Sequence, residues 1–437
     1  MANLILLLNL TLVSAGQSPS FLVQFFRHGA RVELYKNVDQ PELNDLMAFG
    51  DLTTTGMKQH YLLGLQMRKE YSDLFPSVYD KNVHTLYCSN YNRTLVSLSS
   101  HLMGVYELGK GLEIEVDEKE FYNPPISGFD MPFEEGKNAI PRKMQLIPMK
   151  NPADDANILF GSCPYIAKRR EELLENDFIY ENDFNPLKEA LEKAGFTPKT
   201  FNRTRDDRFF INAACDFIIA RTYSQKDFKV DESLIDQCHL FSSVYLVYPV
   251  RDMQISRLSN TPIFRIIVDS LKAIGTSKEK VLTFSGHDTN VHHILSVFYP
   301  MECECVVNEY RRLYNPSRYD PSMKKNCYLQ VRFTANIIIE VFEAEDKKMF
   351  VMMKLNGEEL PIFQGKTTVE LSQFIKALSD EIEPSFDHLC LGKKPTNKFL
   401  IQTLLATIAT IVLLLILIWW IKPKPRVQTE PEYIAAN

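Results

Sequence analysis

Apolar and polar positions change period several times along the chain. The run Phe21-Leu22-Val23-Gln24-Phe25-Phe26 is nearly all hydrocarbon, as in a strand buried on both faces. It stops abruptly at Arg27-His28-Gly29-Ala30-Arg31. Next, LTTTGMKQHYLLGLQMRKEY (Leu52–Tyr71) has helical spacing behind a capping threonine. HTLYCSNYNRTLVSLSSHLMG begins as a strand and becomes a helix near Arg93. Alternation of this kind from Phe21 to about Pro125 predicts a parallel sheet with crossover helices. From about Pro148 to Asp236 the chain turns polar and helical, with AKRREELLENDF and PLKEALEKAG as surface helices. A helix over Pro262–Ile274 leads into a strand at Val281–Phe284. NCYLQVRF, NIIIEVFEA and KMFVMMKLNGEELPI then predict antiparallel edge strands, with a tight turn at Asn356-Gly357. The expected fold is α/β: a mixed, mainly parallel sheet sandwiched by helices. A smaller α-rich cap is inserted at about 148–236.

The two ends fall outside this pattern. Residues 1–16 are apolar and close on Ser14-Ala15-Gly16, as in a secretory signal peptide, although without an N-terminal positive charge. Residues 399–421 carry no charge and end in Trp419-Trp420, followed by Lys422, Lys424 and Arg426. At about 1.5 Å per residue such a helix crosses a roughly 30 Å hydrocarbon core. Basic residues on its far side predict a cytosolic tail at 422–437 and a lumenal or extracellular domain at 17–395. Eight cysteines suit that oxidising side. Cys303-Glu304-Cys305 lacks a partner pair at metal-ligand spacing, so it reads as disulfide or thiol rather than metal site. The net charge of -6 argues against nucleic acid as the main partner, so any anion site must be local.

TFSGHDTNVHHIL (Thr283–Leu295) repeats the design of the opening stretch: an apolar strand runs into Ser285-Gly286, then His287-Asp288, then a helix. Ligands of open α/β sheets bind beyond the carboxyl ends of the strands. Two such ends carry Arg27, His28, Arg31 and His287, Asp288, and a third strand-to-helix junction brings Arg93. Guanidinium forks match the oxygens of a tetrahedral dianion. A histidine held among them stays neutral, can attack phosphorus, and leaves a carboxylic acid such as Asp288 to protonate the departing alkoxide. The sequence offers no HExxH and no acidic cluster at octahedral spacing, so the arginines take the place of a cation. No metal or other cofactor is expected.

RHGAR after a strand near the mature N-terminus, with SGHDT late in the chain, resembles the histidine acid phosphatases, most of all the prostatic and lysosomal type. LTTTGMKQHYLLG and NRTL are similar to two further segments of that family, and the resemblance covers about Phe21 to Cys390. It implies that His28 is the phosphorylated nucleophile, that Arg27, Arg31, Arg93 and His287 bind phosphate, and that Asp288 donates the proton. It also implies disulfides Cys163–Cys390 and Cys215–Cys327, and leaves Cys88, Cys238, Cys303 and Cys305 without counterparts. The chain departs from the family at Ala30, at Val32-Glu33-Leu34 and at Tyr87-Cys88-Ser89-Asn90, which touches substrate preference but removes no catalytic side chain. Two sequons lie beyond the signal, at Asn92 and Asn202. A glycan beside Arg93 would block the site, so Asn202 is the expected acceptor.

The expectation is an acid phosphatase for phosphate monoesters, anchored as a single-pass type I protein of the lysosome or the cell surface. Alternatives are a phosphatase selective for inositol phosphates or lysophospholipids, and a non-catalytic receptor on the same scaffold. Expected partners are the phosphate monoester, the membrane through one C-terminal helix, and a second copy of the chain in a homodimer. His60, His101, His292 and His293 read as packing or surface residues, and Met352-Met353 as core.

Overall fold

The seven strands found form one sheet in the order β2-β3-β1-β4-β5-β6, with β7 also paired to β5. They are β1 (Phe21–Arg27), β2 (His84–Cys88), β3 (Val281–Gly286), β4 (Asn336–Glu343), β5 (Met349–Leu355), β6 (Glu358–Leu360) and β7 (Thr368–Glu370). A computed structural model of the protein describes residues 18–39, 47–115, 123–129, 137–149, 159, 161–176, 184–202, 207–323, 327, 331–362, 365–393, 408 and 410–414. The expected signal peptide at 1–16 lies outside the described residues, as does most of 399–421.

β1 is buried along its whole length and sits between parallel β3 and antiparallel β4. Leu22 and Phe26 face a core shared with α1 (Thr54–Glu70) and α2 (Asn92–Val105), through Met67, Leu98, Leu102 and Val105. Alternation puts Val23 and Phe25 on the opposite face. There they line one small cavity with Phe264 of α7 (Met253–Lys272), Ile294 and Phe298 of α8 (Asp288–Phe298) and Leu378 of α10 (Leu371–Asp380). Helices therefore cover both faces, as expected of the α/β class.

The sheet is less parallel than the helix–strand alternation suggests. Among the described residues only β2·β3 and β3·β1 pair in parallel; the pairings from β1·β4 onward are antiparallel. Hairpins need only a two-residue turn, so the last third of the chain adds strands without crossover helices. Asn356 (φ 53°) and Gly357 (φ 88°) make such a turn between β5 and β6 with both central residues in the left-handed region. The strand expected at 326–333 does not form at Val331-Arg332, and 328–330 lie outside the described residues.

Between the sheet halves come α3 (Pro164–Asn176), α4 (Asn185–Lys193), α5 (Asp207–Ser224), α6 (Glu232–Val247), α7 and, after β3 and α8, α9 (Pro300–Tyr314). α6 runs unbroken through Asp236. The helix expected from Pro262 is the second half of α7, which starts earlier because the Asp252 carboxylate accepts the N–H groups of Gln254 and Ile255. Interior proline costs a helix about 3 kcal/mol. The buried face of Ile255, Leu258, Ile263, Phe264, Ile267, Val268 and Leu271 offsets this.

Residues 1–386 form one compact unit and residues 387–437 another. Of the second unit, Ile408 and Ile411–Leu414 are helical and exposed. Among the described residues no helix is long and apolar enough to cross a membrane.

Cysteine pairing corrects one expectation. Cys215 of α5 bonds Cys238 of the adjacent α6, and Cys327 bonds Cys305 of α9, so Cys215–Cys327 does not form. The Cα separations of 4.8 Å and 5.7 Å are those of disulfides, and α5 packs directly on α6. Cys163 and Cys390 are each disulfide-bonded. Cys88 and Cys303 are buried thiols whose pKa burial pushes up, to about 11 and about 12.

Glu33, one of the departures from the family pattern, meets Arg221 of α5 at 2.6 Å, and both side chains are at most 3% exposed. This pair ties the segment after Arg31 to the helical layer. Glu33→Gln removes the carboxylate from this buried pair and should cost about 3–5 kcal/mol in urea unfolding. Non-reducing peptide mapping should recover Cys215 linked to Cys238 and Cys305 linked to Cys327; a Cys215–Cys327 peptide would contradict the helix pairing.

Candidate active site

Strand register builds the site. Arg27 lies opposite Gly286 at the carboxyl ends of β1 and β3, so the next residues, His28 and His287, stand side by side. The His28 N–H donates to the Gly286 carbonyl at 3.0 Å, and the two imidazoles meet edge to face at 5.5 Å. β2 ends one strand further, where the Ser89 N–H donates to Ser285 O at 3.1 Å and the chain turns into α2 with Arg93 in its first turn. Arg27, His28, Arg31, Arg93, His287 and Asp288 thus line one cavity of about 750 Å³, as the three strand ends suggested. The first turns of α2 and α8 lie at the same edge, where the positive ends of the two helix dipoles favour anions.

The loop after β1 is held by the segment that begins α1. Thr53 Oγ1 donates to Ala30 O at 2.9 Å and also caps α1 by accepting from the Gly56 N–H. Gln59 Oε1 accepts the Ala30 N–H at 2.9 Å, and Ser97 Oγ accepts the Gly29 N–H at 3.1 Å. His60 Nε2 bonds Arg27 O at 3.1 Å. The loop approaches α1 so closely that a Cβ on Gly56 would lie 2.2 Å from Ala30 O. That contact explains glycine at this point of LTTTGMKQ.

The charges are arranged in pairs. Arg27 Nη2 meets Asp288 Oδ2 at 2.8 Å, and Arg27 Nη1 donates to Val331 O at 2.7 Å. Arg31 Nη2 meets Asp216 Oδ1 of α5 at 2.5 Å. Phe333 lies under both guanidiniums, 4.4 Å from Arg27 and 5.9 Å from Arg31. Arg93 rests over Tyr91 at 4.6 Å. Asp216, Phe333 and Tyr91 escaped the sequence reading, and Ser89 figured in it only as a departure from the family pattern. Asp216 and Phe333 come from segments far from the strand ends that advertise chemistry, and Tyr91 and Ser89 were overshadowed by Arg93.

Hydrogen bonds fix both tautomers. A carbonyl only accepts, so His28 Nδ1, 2.9 Å from Gly29 O, carries the hydrogen and Nε2 keeps the lone pair. Arginine only donates, so His287 Nδ1, 3.3 Å from Arg93 Nη2, is the acceptor and its Nε2–H faces Ser89 Oγ at 2.9 Å. His287 thus orients Arg93. Burial, then Arg27, His287, Arg93 and Arg31, hold the His28 pKa well below its usual value. Burial and Arg93 lower His287 to about 3. Burial would raise the Asp288 carboxyl, but Arg27, Arg31 and His287 outweigh it and hold it well below the usual carboxylate range. Burial, with Arg31, lowers Arg93 to about 10.

The remaining histidines divide. His60 and His101 pack on Phe26 at 4.8 Å and 4.9 Å, as core residues, whereas His292 and His293 also line the cavity. The only group of potential metal ligands found among the described residues, Glu302, Cys305 and Cys327, contains the two sulfurs of one disulfide. At the first sequon Asn92 is exposed, but the Thr94 hydroxyl is buried against the carbonyls of Ser89 and Tyr91. Asn202 is exposed in a left-handed turn (φ 54°).

Residues 23–356 match the family model of the histidine phosphatase superfamily (branch 2). The chain belongs to that family. It is 23% identical over 294 residues to lysosomal acid phosphatase of Rattus norvegicus, covering 63% of this chain and 62% of the relative. It is 24% identical over 289 residues to prostatic acid phosphatase of Bos taurus, covering 62% and 66%. The match thus spans a little under two thirds of these relatives' length. Among solved structures, Hafnia alvei phytase in its apo form superimposes with a TM-score of 0.54 at 12% identity, over 85% of this chain and 99% of the phytase. The same phytase in complex with myo-inositol hexakis sulphate gives 0.55 at 11% identity, with the same coverage. This likeness is one of fold.

Arg93→Ala removes a charge-assisted donor pair worth about 1.5–3 kcal/mol, and so should weaken inorganic phosphate binding by about 10- to 100-fold in titration calorimetry with the melting temperature preserved. Unchanged affinity would take Arg93 out of the anion site.

Proposed function

We propose that the protein is an acid phosphatase that hydrolyses phosphate monoesters through a phosphohistidine on His28. The observation that carries this reading is the neutral His28 with its Nε2 lone pair left free beside three guanidiniums. The arginines and His287 hold the phosphoryl oxygens. Nε2 attacks phosphorus as the bond to the ester oxygen breaks, and the Asp288 carboxylic acid protonates that oxygen. Water then attacks the phosphohistidine, with Asp288 taking its proton, and phosphate leaves.

Beside Arg27 and Arg31, Asp288 is ionised, yet the first step needs its acid form. Substrate binding supports the change of state. A phosphoryl group among Arg27, Arg31 and Arg93 cancels much of the field that lowers the carboxyl and adds negative charge beside it, and both effects raise its pKa. Monoesters have a second pKa near 6, so in acid the substrate monoanion itself brings the proton. The rate should therefore fall as pH rises through neutrality, while His28 stays neutral over the acid range.

The second element of the reading is topology. Residues 1–16 serve as a cleaved signal, and 399–421 anchor the protein as type I, with the catalytic domain in the lumen of the lysosome or outside the cell. The uncharged span, the basic stop and the exposed apolar side chains of Ile408 and Ile411–Leu414 support this. Asn202 is the proposed glycan acceptor. Inositol phosphates are a second substrate reading, favoured by the phytase-like fold and the size of the cavity.

Asp288→Asn should cut kcat by about 10²–10⁴-fold on an alkyl phosphate, and less on p-nitrophenyl phosphate, whose leaving group needs no proton. Equal losses would reject the acid role. A chain ending before Phe399 should be secreted in soluble form and hydrolyse both esters in the presence of EDTA. Retention of that chain in membranes, with the domain folded, would contradict the single anchor.

A further inference from the structure

We propose that Asp216, contributed by helix α5, is the fixed counter-charge of the phosphate cradle: it positions Arg31 and sets the charge balance that lets Asp288 hold a proton when phosphate is bound. The inference rests on the phosphatase reading of the same site. Asp216 lines the cavity, and its carboxylate is divided between two partners. Oδ1 meets Arg31 Nη2 at 2.5 Å, and Oδ2 accepts the Leu34 N–H at 2.7 Å. Arg31 Nη1 is turned back onto Val32 O at 3.2 Å. The helix thus grips both the guanidinium and the backbone beyond it.

The cradle holds three guanidiniums and two carboxylates. Asp288 is faced by Arg27, Arg31, Arg93, His287, His292 and His293. Asp216 faces Arg31, with Arg27 further off and Tyr35 and Tyr223 at the margin. The histidines are neutral at the working pH, since burial lowers His287 and His293 to about 3 and His292 to about 4. These side chains together therefore carry one net positive charge. A phosphoryl dianion would leave it one charge negative, and a proton on Asp288 restores neutrality. With Asp216 neutral, the same dianion already balances the arginines, and nothing favours a proton on Asp288. Asp216 is thus a positioning residue that acts through Arg31 and through charge; it does not touch the transferring group.

A mere anchor and a counter-charge predict opposite results for Asp216→Asn. Losing an anchor would loosen Arg31, weaken anion binding and leave the pH profile in place. Losing a counter-charge makes the cradle more positive. A unit charge several ångströms away, at an effective dielectric near 20, moves a pKa by about 1–2 units. The experiment measures kcat against pH for glycerol 2-phosphate, and the competitive inhibition constant of inorganic phosphate, in the full-length protein and its variants. In D216N the falling limb of kcat should move to lower pH by about 1–2 units, while inorganic phosphate binds about tenfold more tightly. Asp216→Ser repeats the neutral substitution should the asparagine variant not fold. Asp216→Glu restores the charge and should return the limb to within half a unit of the wild type. Weaker phosphate binding with an unmoved limb in the neutral variants, or a limb displaced as far in D216E as in D216N, overturns the inference while the phosphatase reading stands. A wild-type protein without turnover overturns both.

Discussion

Mutual repulsion among Arg27, Arg31 and Arg93 is the constraint on which the rest of the site depends. Three guanidiniums gathered at the buried ends of a sheet demand compensation, and the fold supplies it from two directions. Asp288 reaches Arg27 from the first turn of α8, and Asp216 reaches Arg31 from α5. Phe333 lies beneath both cations. The balance leaves one net positive charge, which draws in a phosphoryl anion; a dianion overshoots it by one, and a proton on Asp288 restores neutrality. Ground-state strain of this kind is tolerable only because the loop is anchored everywhere else: Thr53, Gln59, His60 and Ser97 take up its backbone groups.

The same constraint sets the protonation states that the chemistry needs. Burial and the cations around His28 keep it uncharged, and the Gly29 carbonyl fixes which nitrogen carries the hydrogen. Pairing β1 with β3 in one register brings His28 against His287, and a slip of one residue would separate them and turn each side chain to the other face. The register is itself held by the core residues of β1, which face helices on both sides. Packing, register and tautomer therefore form one chain of causes from the hydrophobic run Phe21–Phe26 to a free Nε2.

Much of this was legible in the sequence. Buried strands that end in charge announce a site at a sheet edge, and three such ends marked Arg27, His28, Arg31, Arg93, His287 and Asp288. The capping threonine, glycine and glutamine of LTTTGMKQ were legible as a family segment, and their work became clear only with the loop they hold. Asp216 was not legible, because it is one of two acids, with two arginines, in the helix DRFFINAACDFIIARTYS, and looks like any solvated charge. Glu33 read as a departure from the family and proved to be half of a buried ion pair. The Cys215–Cys327 expectation went astray for a related reason: pairing depends on which helices lie together, and α5 against α6 is a tertiary fact. The antiparallel share of the sheet was underrated because strand–helix alternation dominates the first third of the chain.

The central claim is that His28 Nε2 becomes covalently phosphorylated. Rapid acid-free quenching of the enzyme with a ³²P-labelled monoester tests it most directly, followed by peptide mapping in alkali, where phosphohistidine survives and phosphoserine does not. The account predicts label that is lost in acid, resides on the peptide containing His28, and forms and decays fast enough to carry turnover. Turnover at full rate with no label on His28, or label that persists in His28→Ala, would contradict it.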